Sequence, residues 1–259
     1  MAEGSATTGT DRVVGAERVL VVLRELALRP DGVSLDEMSR AVGGSKPTIH
    51  RALASLRRVG FAIQDDRGRY LLGDEYLRLA FVHHERRPES VRVRPVLEAL
   101  AERFGETAHF AVLEGREVVY RAKVDPPTGA VRLTSCVGGR NPAHSTGVGK
   151  VLLSFSLPTD EAARAWVAEG ELERRTAHTI TDGEGLVTEL ARIRRHGYAV
   201  DNEENEEGVA CVAVPVWLAS PETPAGAVSV SAVAYRTPLA QLVGSVDEIR
   251  EIVSADTGH

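Results

Sequence analysis

The stretch Ser45–Leu56, SKPTIHRALASL, constrains the fold more than any other part of the chain. At 100° per residue, Ile49, Ala52, Leu53 and Leu56 share one face of a helix. Arg51 and Arg58 fall on the opposite side, with Thr48, His50 and Ser55 on the flanks. Ser45 stands where an N-cap hydroxyl accepts an orphan backbone N–H, and Pro47, in the first turn, has no N–H that needs a partner. A helix of this kind is held by one face and offers donors from the other, as reading base edges in a major groove requires.

Its neighbours complete a motif. Arg12–Arg29 carries Val13, Ala16, Val19, Leu20, Leu23, Leu26 and Ala27 at helical spacing and stops at Pro30-Asp31-Gly32. Ser34 with Glu37 three residues on is a capping box that opens a short helix to about Val42. Gly43-Gly44 then turns the chain. Phe61–Gln64 and Tyr70–Gly73 read as two short strands around the charged turn Asp65–Arg69, a wing beside the helix. Helices, turn and hairpin in this order predict a winged helix-turn-helix over 12–73. That segment holds 11 basic and 7 acidic residues, net +4, whereas the rest of the chain has 20 against 30, net −10. The asymmetry fits phosphate contact by one module only. Residues 1–11, rich in Gly, Ala, Ser and Thr, are expected to be a disordered tail without the basic and apolar regions of a signal peptide.

Residues 74–90 predict a linker, helical over Asp74–Glu85 with an apolar stripe of Tyr76, Leu77, Ala80 and Phe81. His83 and His84 point about 100° apart on such a helix, which suits a solvated end better than a metal site. The segment 91–259 predicts a helix at 91–104, a hairpin of strands 107–113 and 117–123, a strand at 131–134, and a loop at 138–150 leading into a helix through Phe155. Helices at 159–168 and 183–196, strands at 198–201, 209–216 and 225–234, and one last helix at 239–253 follow. Hairpins and helices cluster rather than alternate strictly, so the fold class is α+β with a central antiparallel sheet. No apolar run approaches the ~20 residues of a membrane span. Cys136 and Cys211, far apart, read as free thiols in a reducing cytoplasm.

The chemistry-bearing residues exclude more than they assign. Gly147–Lys150 is no phosphate loop, because position 144 is His and position 151 is Val. A helix start there still favours a carboxylate. Asp201, Glu203, Glu204, Glu206 and Glu207 are expected to form a solvated turn, with Asp201 the exception. Cys136, His144 and Cys211 lack zinc-ligand spacing, and neither Ser145 nor Cys211 has an adjacent base. No cofactor, no metal and no catalytic set is therefore expected; the alternative is a metabolite-binding enzyme with an accessory DNA-binding module. Lysine is scarce, with Lys46, Lys123 and Lys150 against 28 arginines. Lys46 and Lys150 sit at helix starts, where the dipole disfavours a cation. Each needs an anionic partner: a phosphate for Lys46, and a neighbouring loop or a ligand for Lys150.

From about Arg12 to about Val253 the chain resembles the IclR-type bacterial transcriptional regulators. The likeness rests on Lys46–Arg51 with Gly68–Gly73, on His144–Lys150, on Thr176–Thr181, and on Gly197–Glu204 leading to Gly208–Val216. The resemblance implies a winged-helix reader of double-stranded operator DNA, a linker helix and a GAF-like effector domain, in a homodimer or dimer of dimers. The polar face of the helix and the wing, read as above, put Ser45, Lys46, Pro47, Thr48, His50, Arg51 and the wing residue Arg67 against DNA, with Arg51 the best candidate for a base edge and Ser45, Lys46 and Arg67 for phosphates. The resemblance implies an effector, an organic acid or aromatic metabolite, among Gly147, Val148, Asp201, Cys211, Ser229 and Ser231. The chain departs from the family pattern at Trp217 and at Ala232-Val233, where Gly-Pro is common.

Overall fold

The computed structural model describes residues 15–85, 88–126, 133–218, 220 and 223–257. The expected tail, the start of the first predicted helix and residues 131–132 lie outside them, as do the side chains of His83 and His84. The chain divides between Arg86 and Arg87 into two compact units.

The first unit runs α1 (Ala16–Ala27), α2 (Leu35–Val42), α3 (Lys46–Arg58), β1 (Ala62–Gln64), β2 (Tyr70–Leu72) and α4 (Asp74–Glu85). The four apolar residues that share a face of α3 are all buried, packed with Val22, Leu26 and Met38. The capping box of α2 is complete: Glu37 N donates to Ser34 Oγ (3.3 Å) and Ser34 N to Glu37 Oε2 (2.8 Å). Ser45 does not cap α3 with its side chain. The second helical position is Pro47, which has no N–H, and the N–H of Thr48 already reaches the Ser45 carbonyl at 2.9 Å. The Ser45 hydroxyl pairs instead with that of Thr48 at 2.8 Å. In the wing, Asp65 Oδ1 accepts from the N–H groups of Arg67 (3.0 Å) and Arg69 (2.7 Å), which folds the turn locally. Tyr76, Leu77 and Ala80 of the predicted stripe are exposed, as are Leu79 and Val82, so these residues of α4 do not join this unit's core; the Phe81 side chain lies outside the described ones.

The second unit adds α5 (Pro88–Phe104), β3 (Thr107–Glu114), β4 (Glu117–Val124), β5 (Arg140–Pro142), α6 (Gly147–Ser156), α7 (Asp160–Ala168), α8 (Gly183–His196), β6 (Ala199–Asn202), β7 (Val209–Val216), β8 (Gly226–Val233), α9 (Leu239–Gly244) and α10 (Val246–Thr257). The strands form one sheet in the order β5-β4-β3-β8-β7-β6, every neighbour antiparallel. Strand periodicity assigns its faces. Val212, Val214, Val228 and Val230 pack with Leu97 and Leu100 of α5 and Ile249 of α10. The alternate residues Ala213 and Ala227 pack with Val148, Val151 and Leu152 of α6 and Leu190 of α8.

The sheet and the winged helix agree with expectation, and three local elements differ. The last helix is two, because the chain tightens at Ser245, whose N–H turns back to Leu242 O. Arg140–Pro142, predicted as loop, is a short edge strand on β4; Pro142 sits at its end, where a missing donor is tolerated. Leu133 and Thr134, predicted as strand, are irregular, and the Lys123 ammonium holds the carbonyls of Leu133 and Ser135, each at 2.9 Å.

Candidate functional site

On the first unit, Ser45, Lys46, Pro47, His50 and Arg51 of α3 and Arg67 of the wing are exposed, and Thr48 is half-buried. Lys46 Nζ meets Asp36 Oδ1 at 2.8 Å, with both side chains largely in water. Such a pair is worth ~0–1 kcal/mol, so a phosphate can displace it. Arg51 borders a groove between α1 and α3 with Arg18, Thr48 and Ser55. Two neighbouring arginines have structural partners. Arg57 donates to Gln64 Oε1 (2.9 Å), whose amide reaches Gly68 O (3.0 Å), tying the wing to the end of α3. Arg69 donates to Gly32 O (2.6 Å), tying the wing to the turn after α1.

In the second unit a cavity of about 260 Å³ lies between the sheet and the start of α6. Gly147, Val148, Asp201, Cys211, Ser229 and Ser231 all line it. Register explains the convergence. His109 pairs with Ser229 across β3 and β8, Ser231 with Cys211 across β8 and β7, and Cys211 with Asp201 across β7 and β6. Directly opposed residues share a face, so these polar side chains form one floor. The helix start presses onto it: a Cβ added at Gly147 would lie 2.9 Å from Cys211 Sγ. The Thr146 hydroxyl caps α6 by accepting from Gly149 N at 3.1 Å.

His109, Ser135, Tyr120, Asn141, Arg175 and Asn205 also line the cavity, beyond what the sequence reading named. A histidine inside the apolar run of β3 was a signal for the first. Tyr120 was out of reach, because a bulge between the Phe110–Ala122 and Ala111–Tyr120 pairs turns it to this face. Burial, then the nearby Lys123, pushes His109 down to about 3, so its imidazole is neutral. Burial pushes Asp201 up to about 7, against the N–H groups of Glu204 (2.7 Å) and Asn205 (3.3 Å), which bond its Oδ1. Burial, then the Asp201 charge, raises the Cys211 thiol, which makes it a poor nucleophile. Ser145 Oγ donates to Pro142 O and faces Asn205 Oδ1, both at 3.2 Å.

The acidic turn is not simply solvated. Glu204 is buried and its Oε1 takes the Lys150 ammonium at 2.5 Å, so the tether to a neighbouring loop is what Lys150 makes. Thr176 and Thr179 donate to the carbonyls of Glu203 and Glu204, each at 2.6 Å. The Thr176–Thr181 stretch thus clamps the loop that carries Asn205 and holds Asp201.

Two opposed pH responses follow. Between about pH 4 and 7 the folded unit keeps a proton on Asp201 that an unfolded carboxyl has lost, so this group's contribution to stability falls as pH rises. Below ~6.5 the unfolded chain protonates His109 while the folded unit does not until about 3, so that contribution falls as pH drops. Asp201→Asn removes only the first. Its Tm relative to the parent is expected to rise steadily from pH 5 to 7.5; a difference flat with pH would mean that Asp201 is ionised throughout.

The comparisons with known proteins agree in both units. Residues 15–66 match the family model for the IclR helix-turn-helix domain, and residues 90–255 the one described as bacterial transcriptional regulator IclR C-terminal. The chain is 31% identical over 249 residues to the HTH-type transcriptional regulator XynR of Escherichia coli (strain K12), covering 92% of this chain and 94% of that protein. It is similar to the crystal structure of Thermotoga maritima IclR, with TM-score 0.80 and 28% identity over 93% of this chain and 96% of that one. An IclR homolog from Microbacterium hydrocarbonoxydans, complexed with 4-hydroxybenzoate, aligns with TM-score 0.71 and 26% identity over 92% of this chain and 98% of that one. With both domains matched in order along nearly its whole length, the chain belongs to the IclR family of bacterial transcriptional regulators.

Proposed function

We propose that this regulator acts in the cytoplasm on a pseudo-palindromic operator, as a dimer or dimer of dimers, and that a small organic acid in the 260 Å³ cavity changes its operator affinity. It is a DNA-binding transcriptional regulator with an effector-binding C-terminal domain; the contacts, ligand class and assembly are our reading. Arg51 reads a base edge, with Thr48 and His50 beside it. Ser45, Lys46 and Arg67 hold phosphates, and Pro47 sets the backbone between them. The ligand carboxylate meets the Gly147–Val148 end of α6, over Asp201 and Cys211, with Ser229 and Ser231 beyond. The observation that carries this is the convergence of those six residues on one cavity. The carboxylate of 4-hydroxybenzoate in the Microbacterium homolog's complex supports the ligand class. The exposed apolar residues of α4 support a contact between copies. Coupling between ligand and operator of ~1–3 kcal/mol is expected.

Fluorescence anisotropy on cognate and scrambled duplexes tests the DNA assignment. Arg51→Ala is expected to lose ~1–3 kcal/mol on the cognate site only, and Lys46→Ala to weaken both duplexes alike and flatten the salt dependence. Equal losses on both duplexes for Arg51→Ala would reject base reading.

A further inference from the structure

Resting on the reading that this cavity holds the effector, we propose that the effector is an acyclic polyhydroxylated carboxylate rather than an aromatic acid. The floor carries the argument. Ser135 Oγ and His109 Nε2 are 2.7 Å apart, His109 Nδ1 and Ser231 Oγ 3.3 Å, and Ser231 Oγ and Ser229 Oγ 3.2 Å. All four residues line the cavity and form one continuous row. A neutral imidazole donates through one nitrogen and accepts through the other, so one flanking serine accepts and the other donates. Whichever tautomer holds, the row keeps both lone pairs and an O–H that its internal bonds leave unused. A ligand hydroxyl, which donates and accepts, satisfies such a row. A carboxylate only accepts, and the face of an aromatic ring replaces neither kind of bond.

Dimensions agree. The start of α6 lies over Cys211 on β7, and His109 on β3 is two strands away, ~10 Å at the spacing of neighbouring strands. An extended chain with its carboxylate at α6 lays successive hydroxyls along the row. The rings already present meet each other at a tilt of 50° instead of forming parallel walls of an aromatic slot. The His109 and Tyr120 centroids are 5.1 Å apart, and the Tyr120 hydroxyl accepts from Asn141 Nδ2 at 3.3 Å.

Isothermal titration of the full-length protein with gluconate, hexanoate and 4-hydroxybenzoate tests the proposal. Gluconate is expected to bind at least ~100-fold tighter than either of the others, because hexanoate has no hydroxyl and 4-hydroxybenzoate has only one, fixed at the end of a rigid ring, whereas a site built for several hydroxyls rejects analogues that lack them. Ser231→Ala is expected to shrink that preference at least ~10-fold, and the ligand series on the parent protein stands without the variant. Hexanoate or 4-hydroxybenzoate binding as tightly as gluconate overturns the hydroxyl assignment and leaves the cavity an effector site. No heat with any of the acids, together with an operator affinity indifferent to all of them, overturns both readings.

Discussion

Lys150→Met is expected to cost the second unit ~3–5 kcal/mol, the loss typical of stripping one partner from a buried ion pair. The Lys150 side chain is 1% exposed and that of Glu204 7%. The ammonium lies 2.5 Å from Glu204 Oε1 and 3.7 Å from Glu189 Oε1. Glu204 has little else: its Oε2 has no hydrogen-bond partner among the described residues, and the Asn202 N–H reaches Oε1 only at 3.4 Å. Methionine fills the space but leaves a carboxylate buried without a cation. Glu189 keeps Arg192 at 2.7 Å, so the damage centres on Glu204. Adding Glu204→Gln is expected to restore most of the loss, because a neutral pair of similar volume is often no worse than the ion pair. Urea unfolding followed by circular dichroism reads all three proteins. A Lys150→Met loss under ~1 kcal/mol, or a double variant no better than the single, would show that the pair does not hold this loop. The same loop bonds Asp201, so effector affinity is expected to fall with stability in the single variant and to return in the double.

Gly149→Ala should be nearly as damaging, for a steric reason. A Cβ there would fall 2.2 Å from Ala143 O and 2.5 Å from Ala143 Cα, backbone atoms of the 3₁₀ turn Ala143–Ser145 that precedes α6. No side-chain rotation relieves such a contact, so the entry to α6 must move, at ~3 kcal/mol or more. Gly147→Ala meets the Cys211 sulfur at 2.9 Å and Ala213 Cβ at 3.3 Å, groups with somewhat more freedom. Its Tm loss is expected to be the smaller of the two, while its effector affinity suffers because the added methyl displaces the cavity floor. If thermal unfolding of Gly149→Ala matches the parent, the turn is looser than the contacts imply and α6 is not pinned by it.

Legibility followed range along the chain. The Ser34–Glu37 box and the buried face Ile49–Leu56 are decided by neighbours a few residues apart, so spacing reveals them. Helix 183–196 and strand 209–216 came out with the predicted ends, because a capping aspartate and a terminal glycine mark the first and an unbroken β-branched and small-residue run marks the second. Ser45 was misjudged although local: the two donors it might have capped were removed by proline chemistry and by its own carbonyl. The Glu203–Glu207 turn was misjudged because its decisive partner, Lys150, is 54 residues from Glu204. The cavity was half legible. Ser229 and Ser231 had to share a face, but nothing local said that the face was the one under α6, or that a bulge in β4 would bring Tyr120 to it.

By itself, then, the sequence determined most of the elements, the order of the two units, the helix α3 with one buried and one basic face, and the family. Those depend on short-range periodicity, caps and motifs that leave their mark on neighbouring residues. Only the tertiary structure decided that His109 stands opposite Ser229, that Ser231, Cys211 and Asp201 line up across three strands, and that Lys150 neutralises Glu204. A strand's alternation says which residues travel together. Which side they face, and whom they meet there, is set by register and by the helix that buries them.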